Sequence, residues 1–139
     1  GGPAACNGAA ALCARRFDEV SFPATHNAMS AEEEGWISPN QHVAVPRQLA
    51  DGVRALMLDT HYDGGAAYLC HGTCTAGKKL LSKGLVEIRR FLDENPGEVV
   101  TIFFESYVSA KDTAAAFEKA DFYDIGDLFA VVRALNGGG

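Results

Sequence analysis

The sequence predicts a single α/β domain with a mainly parallel sheet. Segments with strand patterns alternate along the chain with segments that have helix patterns, an order typical of α/β folds. The strand segments are continuously apolar rather than alternating, as expected for parallel strands that are buried on both faces. A length of 139 residues with 47% hydrophobic residues fits one domain with a real core.

The first half of the chain predicts two strands separated by a short helix. Residues 19–27, EVSFPATHN, predict a short strand that ends soon after a proline. Residues 45–52, VPRQLADG, have a proline near their start and stop at a glycine, which predicts the helix. Residues 53–62, VRALMLDTHY, predict a buried strand. Residues 66–72, AAYLCHG, follow the turn signal DGG and predict a second strand arm.

The second half predicts a helix, a strand and another helix. Residues 78–97 carry an apolar stripe with helical spacing that stops at Asn-Pro-Gly, formed by Leu81, Leu85, Ile88 and Leu92. Residues 98–106, EVVTIFFES, predict a strand because they are rich in β-branched and aromatic side chains. Residues 109–120 are rich in alanine and begin with a serine followed by an aspartate three residues on, which predicts a helix. The tail from residue 124 predicts one more helix or strand, with a disordered Gly-rich end at 136–139.

Charge and hydropathy exclude two classes of protein. A net charge of −6 argues against a nucleic-acid partner, because such proteins need a basic surface. No run of about 18 apolar residues occurs, so the sequence predicts no membrane span. The first 16 residues lack the basic start of an intact signal peptide and are compatible with the remainder of a cleaved one.

The four cysteines form two close pairs, Cys6 with Cys13 and Cys70 with Cys74. Four cysteines allow three disulfide pairings, of which local pairing is the simplest. A zinc site is the alternative, but neither pair has the CxxC spacing. The pattern favours disulfides, and therefore a secreted or extracytoplasmic protein.

Polar residues cluster at the carboxyl ends of the predicted strands. His26 and Asn27 end the first strand, Asp59 and Glu105 end the two buried ones, and His71 ends the extra arm. In parallel α/β sheets the loops at this edge converge and form sites. We therefore expect these five residues to share one site. The alternative is a set of strand-end polar residues with structural hydrogen bonds alone.

The same residues suit displacement at phosphorus. Two histidines can divide the acid–base work, because an ordinary imidazole pKa of about 6.5 lets one accept a proton while the other donates. Asn27, Asp59 and Glu105 supply the oxygen ligands that calcium or magnesium prefers, and a divalent cation there would neutralise charge on a phosphoryl oxygen. Acyl transfer fits less well, since no serine or cysteine lies in a nucleophile-elbow context.

Five segments, in their order and spacing, resemble one known family: FPATHNAMS, PNQ, RQLADGVRALMLD, YLCHG and EVVTIFFESYVS. They are similar to the X domain of phosphatidylinositol-specific phospholipase C, especially to its secreted, cysteine-containing branch in bacteria and plants. The resemblance covers residues 6 to about 120. It implies an incomplete TIM-type (β/α) barrel, since a whole barrel needs roughly 200 residues or more. Residues 1–139 would then be a single, partial X-type domain that holds about the first half of the barrel.

The resemblance also implies a role for each site residue. His26 would be the general base that deprotonates the inositol 2-hydroxyl, and His71 would be the general acid that protonates the leaving glycerol oxygen. Asn27, Asp59 and Glu105 match positions that hold calcium in the metal-dependent members. Asp59 also matches an aspartate that supports the base histidine in the metal-free members.

Two positions depart from the family pattern. Met57 stands where metal-dependent members have a further acidic ligand, and a thioether is a poor calcium ligand, so calcium as a cofactor is expected to bind weakly. His61 stands where the metal-free bacterial members have an arginine. It either contacts the substrate phosphate when protonated or is simply exposed. His42, in NQHVAVP, is predicted to be a surface residue.

The sequence leaves two functions open. The first is a phosphodiesterase that cleaves phosphatidylinositol-like diesters, with a phospholipid or inositol-phosphodiester substrate and contact with a membrane surface. The second is a non-catalytic secreted α/β module that acts in binding or assembly. Half a barrel leaves unpaired strand edges, which predicts self-association or a second chain that completes the barrel.

Overall fold

The structure, a computed structural model, describes residues 5–122. This part of the chain folds as a mixed α/β domain. Its strands are β1 (Ala24–Thr25), β2 (Ala55–Asp63), β3 (Ala66–Leu69), β4 (Lys79–Leu80) and β5 (Thr101–Ser106), and its α-helices are α1 (Val45–Ala50), α2 (Leu81–Glu94) and α3 (Ala110–Lys119). None of these helices is long and apolar enough to cross a bilayer. The predicted tail element and the Gly-rich end at 136–139 lie outside the described residues.

The central strand of the sheet is β2. Strands β1 and β5 run parallel to it on opposite sides, since both pair with Ala55 and Leu56. Strand β3 folds back antiparallel onto the last four residues of β2 after a turn at Gly64 and Gly65, and β4 pairs antiparallel with β3. The α/β architecture agrees with the sequence-based expectation, whereas the TIM-type barrel stays a prediction.

The strands depart from the prediction in several places, and β5 begins at Thr101 rather than at residue 98. Strand β1 has only two residues, because Pro23 has no N–H to donate and residues 17–19 form a 3₁₀ turn instead. Strand β3 ends at Leu69 rather than near residue 72, since Cys70 begins a short loop that a disulfide closes. The two-residue strand β4 was not predicted at all.

The two faces of the β2–β5 pair have different surroundings. Leu56 and Leu58 are at most 1% exposed and join the core that α2 and α3 complete. The predicted stripe of α2 lies in that core, where Leu81, Leu85 and Ile88 are buried and Leu92 is half-buried. On the other face Met57 is 40% and Phe103 46% exposed. We call this side the open face, which carries Met57, Asp59, Phe103 and Glu105.

Both predicted disulfides are present in the structure. Cys6–Cys13 has Cα atoms 5.0 Å apart, and Asn7 in its loop accepts a hydrogen bond of 2.9 Å from the Val99 N–H just before β5. Cys70–Cys74 has Cα atoms 5.1 Å apart and closes the loop that contains His71. Within the described range no cysteine is free. The local pairing predicted for the four cysteines is therefore confirmed.

Candidate active site

His71 is held in place by Asp59. Nδ1 of His71 lies 2.8 Å from Oδ2 of Asp59, and the Cys70 N–H donates to the Asp59 carbonyl oxygen at 3.2 Å. The Asp59 side chain is 9% exposed and the His71 side chain 58%. A carboxylate that accepts from Nδ1–H fixes the tautomer and the orientation of the ring. Nε2 of His71 is then the nitrogen left available to a substrate.

Asn27 approaches the same imidazole from the end of β1. Its Nδ2 lies 3.2 Å from Nδ1 of His71 and 3.2 Å from Oδ1 of Asn40. The residue is 1% exposed, its φ is +47°, and its Oδ1 has no hydrogen-bond partner within residues 5–122. A buried amide oxygen without a partner is unfavourable unless a bound group satisfies it. Direct contacts thus bring together Asn27, Asp59 and His71 of the predicted set.

The contact of Asp59 differs from the role that the family resemblance implied. The resemblance matched Asp59 to an aspartate that supports the base histidine, His26, but its carboxylate contacts His71. The reason is the topology of the arm, because β3 folds back along β2 and carries residues 70 and 71 past Asp59. Asp59 therefore orients the histidine that the same resemblance assigns as the acid.

His26 follows β1 with an exposed side chain, and its ring makes no hydrogen bond to the described part of the chain. Its backbone is held on both sides. Gln41 donates to the His26 carbonyl oxygen at 2.7 Å. Gln48, which is 3% exposed, donates to the Ala28 carbonyl oxygen at 2.8 Å and accepts from the Thr25 hydroxyl at 2.7 Å. The imidazole projects from a fixed segment of backbone.

Glu105 and His61 lie beside these groups at the same edge of the sheet. Glu105 pairs in register with Asp59 across β2 and β5, and its Oε1 accepts from the Tyr107 hydroxyl at 2.8 Å. That hydrogen bond raises the pKa of Tyr107. The Tyr107 ring stacks on His61 with centroids 4.5 Å apart and planes inclined by 16°. His61 is therefore half-buried against an aromatic ring, which neither sequence-based alternative included.

The oxygen atoms predicted to hold calcium are only partly available. Asn27 Oδ1 is unengaged within the described range, but Asp59 Oδ2 and Glu105 Oε1 each take part in a hydrogen bond to a neighbouring side chain. Residues 5–122 contain no group of three or more His, Cys, Asp or Glu placed to hold a metal ion. With Met57 in place of a further acidic ligand, this arrangement offers a calcium ion few free charged oxygen atoms. Calcium binding stays a prediction, and no step proposed below uses a metal.

Gln48, Asn40 and Tyr107 belong to the site but were not singled out from the sequence. The sequence pattern does indicate a role for Gln48, because helical spacing places it on the same buried face as Val45 and Leu49. A polar side chain on that face needs a hydrogen-bond partner. Asn40 and Tyr107 lie in loops whose paths the sequence pattern does not determine. The prediction for His42 agrees with the structure, since its side chain is 94% exposed and contacts Glu32.

Comparison with known proteins points to one family. A family model described as PI-PLC X 1 matches residues 12–136 of the chain. An uncharacterized secreted protein of Arthroderma benhamiae is 33% identical over 126 residues, which are 86% of this chain and 27% of that protein. PI-PLC X domain-containing protein 1 of the same species is 37% identical over 101 residues, 70% of this chain and 32% of that protein.

A plant protein extends the comparison. A PI-PLC X domain-containing protein of Arabidopsis thaliana is 35% identical over 105 residues, which are 66% of this chain and 24% of that protein. The chain thus spans about a quarter to a third of the length of the curated relatives that it matches. The match includes the segments that carry both histidines and both acidic site residues.

Proposed function

Because the chain belongs to the PI-PLC X family, we propose that it cleaves phosphatidylinositol-like phosphodiesters by general acid–base catalysis. His26 accepts the proton of the inositol 2-hydroxyl as that oxygen attacks phosphorus. His71 donates a proton from Nε2 to the glycerol oxygen as its bond to phosphorus breaks. The products are a cyclic inositol phosphodiester and a diacylglycerol, so one proton is taken up and one is released in each cleavage.

The observation that carries this proposal is the His71–Asp59 hydrogen bond of 2.8 Å beside Asn27. A general acid must keep one nitrogen turned toward the leaving group, and Asp59 provides this by occupying Nδ1. Asp59 is buried, so its carboxylate can hold the ring without competition from bulk water. The exposed His26 at the neighbouring strand end supplies the second group that the reaction needs.

The test is release of the headgroup from vesicles that contain phosphatidylinositol. Alanine in place of His26 or His71 is expected to lower the rate by about two to four orders of magnitude, the usual range for a positioned acid or base. The pH–rate profile of the wild-type chain is expected to be bell-shaped, with one limb for each histidine. His42→Ala is the matched control, since the side chain of that histidine is 94% exposed and contacts Glu32, which is not among the predicted site residues. Equal rates for wild type and both site variants would refute the assignment.

Two observations support a secreted or extracytoplasmic location as part of the proposal. The described residues contain two disulfides, which persist in oxidising compartments. One of the relatives carries the name "Uncharacterized secreted protein". The substrate would then be a lipid or inositol-phosphodiester that the protein meets at an outer membrane surface or in the surrounding medium.

The open face supports a second candidate, a non-catalytic module that acts in assembly. Met57 on the central strand β2 and its register partner Phe103 on β5 expose 40% and 46% of their surface there. Such a face favours association with a second copy or another chain. Sedimentation at several protein concentrations, measured alongside headgroup release, separates the candidates: an associating chain that lacks turnover would favour the module, and an active monomer would exclude it.

A further inference from the structure

Tyr107 touches two site residues at once. Its ring stacks on His61 with a centroid distance of 4.5 Å, and its hydroxyl donates to Oε1 of Glu105 at 2.8 Å. Its backbone N–H donates to the Thr60 carbonyl oxygen at 3.0 Å, which ties the residue to the end of β2. The side chain is 60% exposed, so it is not part of the core. Core packing alone therefore does not account for its contacts.

The residues that Tyr107 contacts lie next to the catalytic groups. His61 is two residues beyond Asp59 on β2, so both side chains are on the same face of that strand. Glu105 is the register partner of Asp59 on β5. No hydrogen bond within residues 5–122 involves a ring nitrogen of His61, and Oε2 of Glu105 likewise makes none. These polar atoms at the edge of the sheet therefore remain open to a ligand.

This inference rests on the function proposed above. We propose that Tyr107 is a positioning residue for headgroup recognition: it holds His61 and Glu105 in the orientation that contacts a hydroxylated ring bearing a phosphate. The imidazole edge can donate to a phosphate oxygen, and the carboxylate can accept from a ring hydroxyl. Histidine and glutamate side chains without such contacts sample several rotamers, and ordering them on binding lowers affinity. Tyr107 restricts the rotamers of His61 and Glu105 before the ligand binds.

The chemistry of Tyr107 suits this task. The hydroxyl contributes through the hydrogen bond that it donates to Oε1 of Glu105 at 2.8 Å. The ring contributes through its flat face, which holds the imidazole plane nearly parallel to its own. The two contacts use different parts of one side chain, so they can be removed separately.

Two substitutions separate the contacts, and the probe is myo-inositol 1-phosphate titrated into the 139-residue chain. Tyr107→Phe keeps the stack but releases Glu105, and we expect binding to weaken about three- to tenfold, the range for one hydrogen bond. Tyr107→Leu also removes the stack, and we expect a further loss of about three- to tenfold. In headgroup release the same losses should appear in KM while kcat changes less than about twofold, because neither contact moves a proton.

The matched control is Phe17→Leu. Phe17 is 57% exposed and stacks on Phe22 with centroids 5.1 Å apart, so it is also an exposed ring in a stacked pair, but it precedes β1. That variant is expected to bind the probe like wild type. The NMR signals of the His61 ring should move in Tyr107→Leu and stay in place in Phe17→Leu, which reports directly on the stack.

The outcomes distinguish this inference from the proposed catalysis. Probe binding that weakens as described, in a chain that releases no headgroup, would support the inference and refute the catalytic proposal. Headgroup release together with unchanged probe binding by both Tyr107 variants would overturn the inference alone. Failure of the wild-type chain to bind the probe would overturn it as well. Should Tyr107→Leu fail to fold, Tyr107→Phe decides, since it removes a single hydroxyl.

Discussion

The His71 imidazole and the Asp59 carboxylate meet at 2.8 Å although their positions in the sequence differ by twelve. Their meeting follows from the β2–β3 hairpin, which pairs Thr60 with Leu69 and so brings the next residues of the arm back past Asp59. The backbone hydrogen bond from Cys70 to Asp59 continues this pairing by one residue. The orientation of the proposed acid is therefore set by strand register.

Asp59→Asn is expected to lower headgroup release by about 100-fold or more, within the range for an acid or base that has lost its orientation. An amide keeps the size of the side chain but offers an NH₂ group to Nδ1, which favours the wrong tautomer. The control is Asp63→Asn on the same strand, whose carboxylate pairs with Lys78 away from His71. A rate within about threefold of wild type would contradict an orienting role for Asp59.

Gln48→Met is expected to lower the free energy of unfolding by about 2–4 kcal/mol, because it leaves buried carbonyl groups without donors. The amide of Gln48 donates to the carbonyl oxygens of Ala28 and Val43, each at 2.8 Å, and the side chain is buried. Urea denaturation measures the loss. Gln41→Met is the comparison, since that side chain is half-buried and makes a single hydrogen bond to His26. Equal losses for the two variants would argue against a special role for Gln48.

Asp112 is expected to make stability depend on pH in the acid range. Hydrogen bonds from the Tyr62 and Ser109 hydroxyls hold the pKa of Asp112 below its usual 3.8. A depressed folded-state pKa stabilises the fold fully above pH 3.8, and this contribution is lost as the pH falls through the folded-state value. Tyr62→Phe removes the larger cause, so its destabilisation should be present at neutral pH and shrink in acid.

The control for this pH effect is the same substitution in an Asp112→Asn background. There the carboxyl group is absent, so Tyr62→Phe should change the melting temperature equally at pH 7 and in acid. A pH-dependent effect of Tyr62→Phe that persists in this background would assign the titration to another group.

Calcium is expected to bind the wild-type chain weakly, with a Kd on the order of millimolar, the range of sites with few charged ligands. Met57→Glu adds a carboxylate on the face of β2 that carries Asp59, so it should tighten binding at least about tenfold. Met57→Gln is the neutral control and should leave the Kd close to that of wild type. Isothermal titration calorimetry distinguishes these results. Micromolar binding by wild type, unaffected by Met57→Glu, would show that the ion binds elsewhere.

The fold could be predicted where the pattern is local. The stripe of α2 and the apolar run of β2 depend on side-chain spacing, which the sequence displays directly. The length of β1 depends on a partner for each backbone group, and Pro23 removes one such donor. Strand β4 forms because β3 offers a free edge to residues 79 and 80, a long-range condition that no window of sequence contains.

The sequence predicts which residues form the candidate site, but not which of them contact one another. Strand ends marked His26, Asn27, Asp59 and Glu105, because polarity appears late in otherwise apolar segments. Which histidine Asp59 contacts depends on the register of a hairpin, and a shift of one residue would turn its side chains to the other face. The stacking of Tyr107 on His61 depends on the path of the chain after β5, and the sequence there shows no periodic pattern that would predict this path.

The loop from Cys70 to Cys74 has a consequence for when the proposed activity would arise. His71 lies inside a covalent ring of five residues, so the segment that presents its imidazole to Asp59 is closed only by oxidation. Newly made chains in a reducing compartment would carry both histidines yet hold one of them on an open, more mobile segment. Formation of the bridge and ordering of the candidate site would then be a single event, so the proposed cleavage of inositol lipids would begin only in an oxidising compartment.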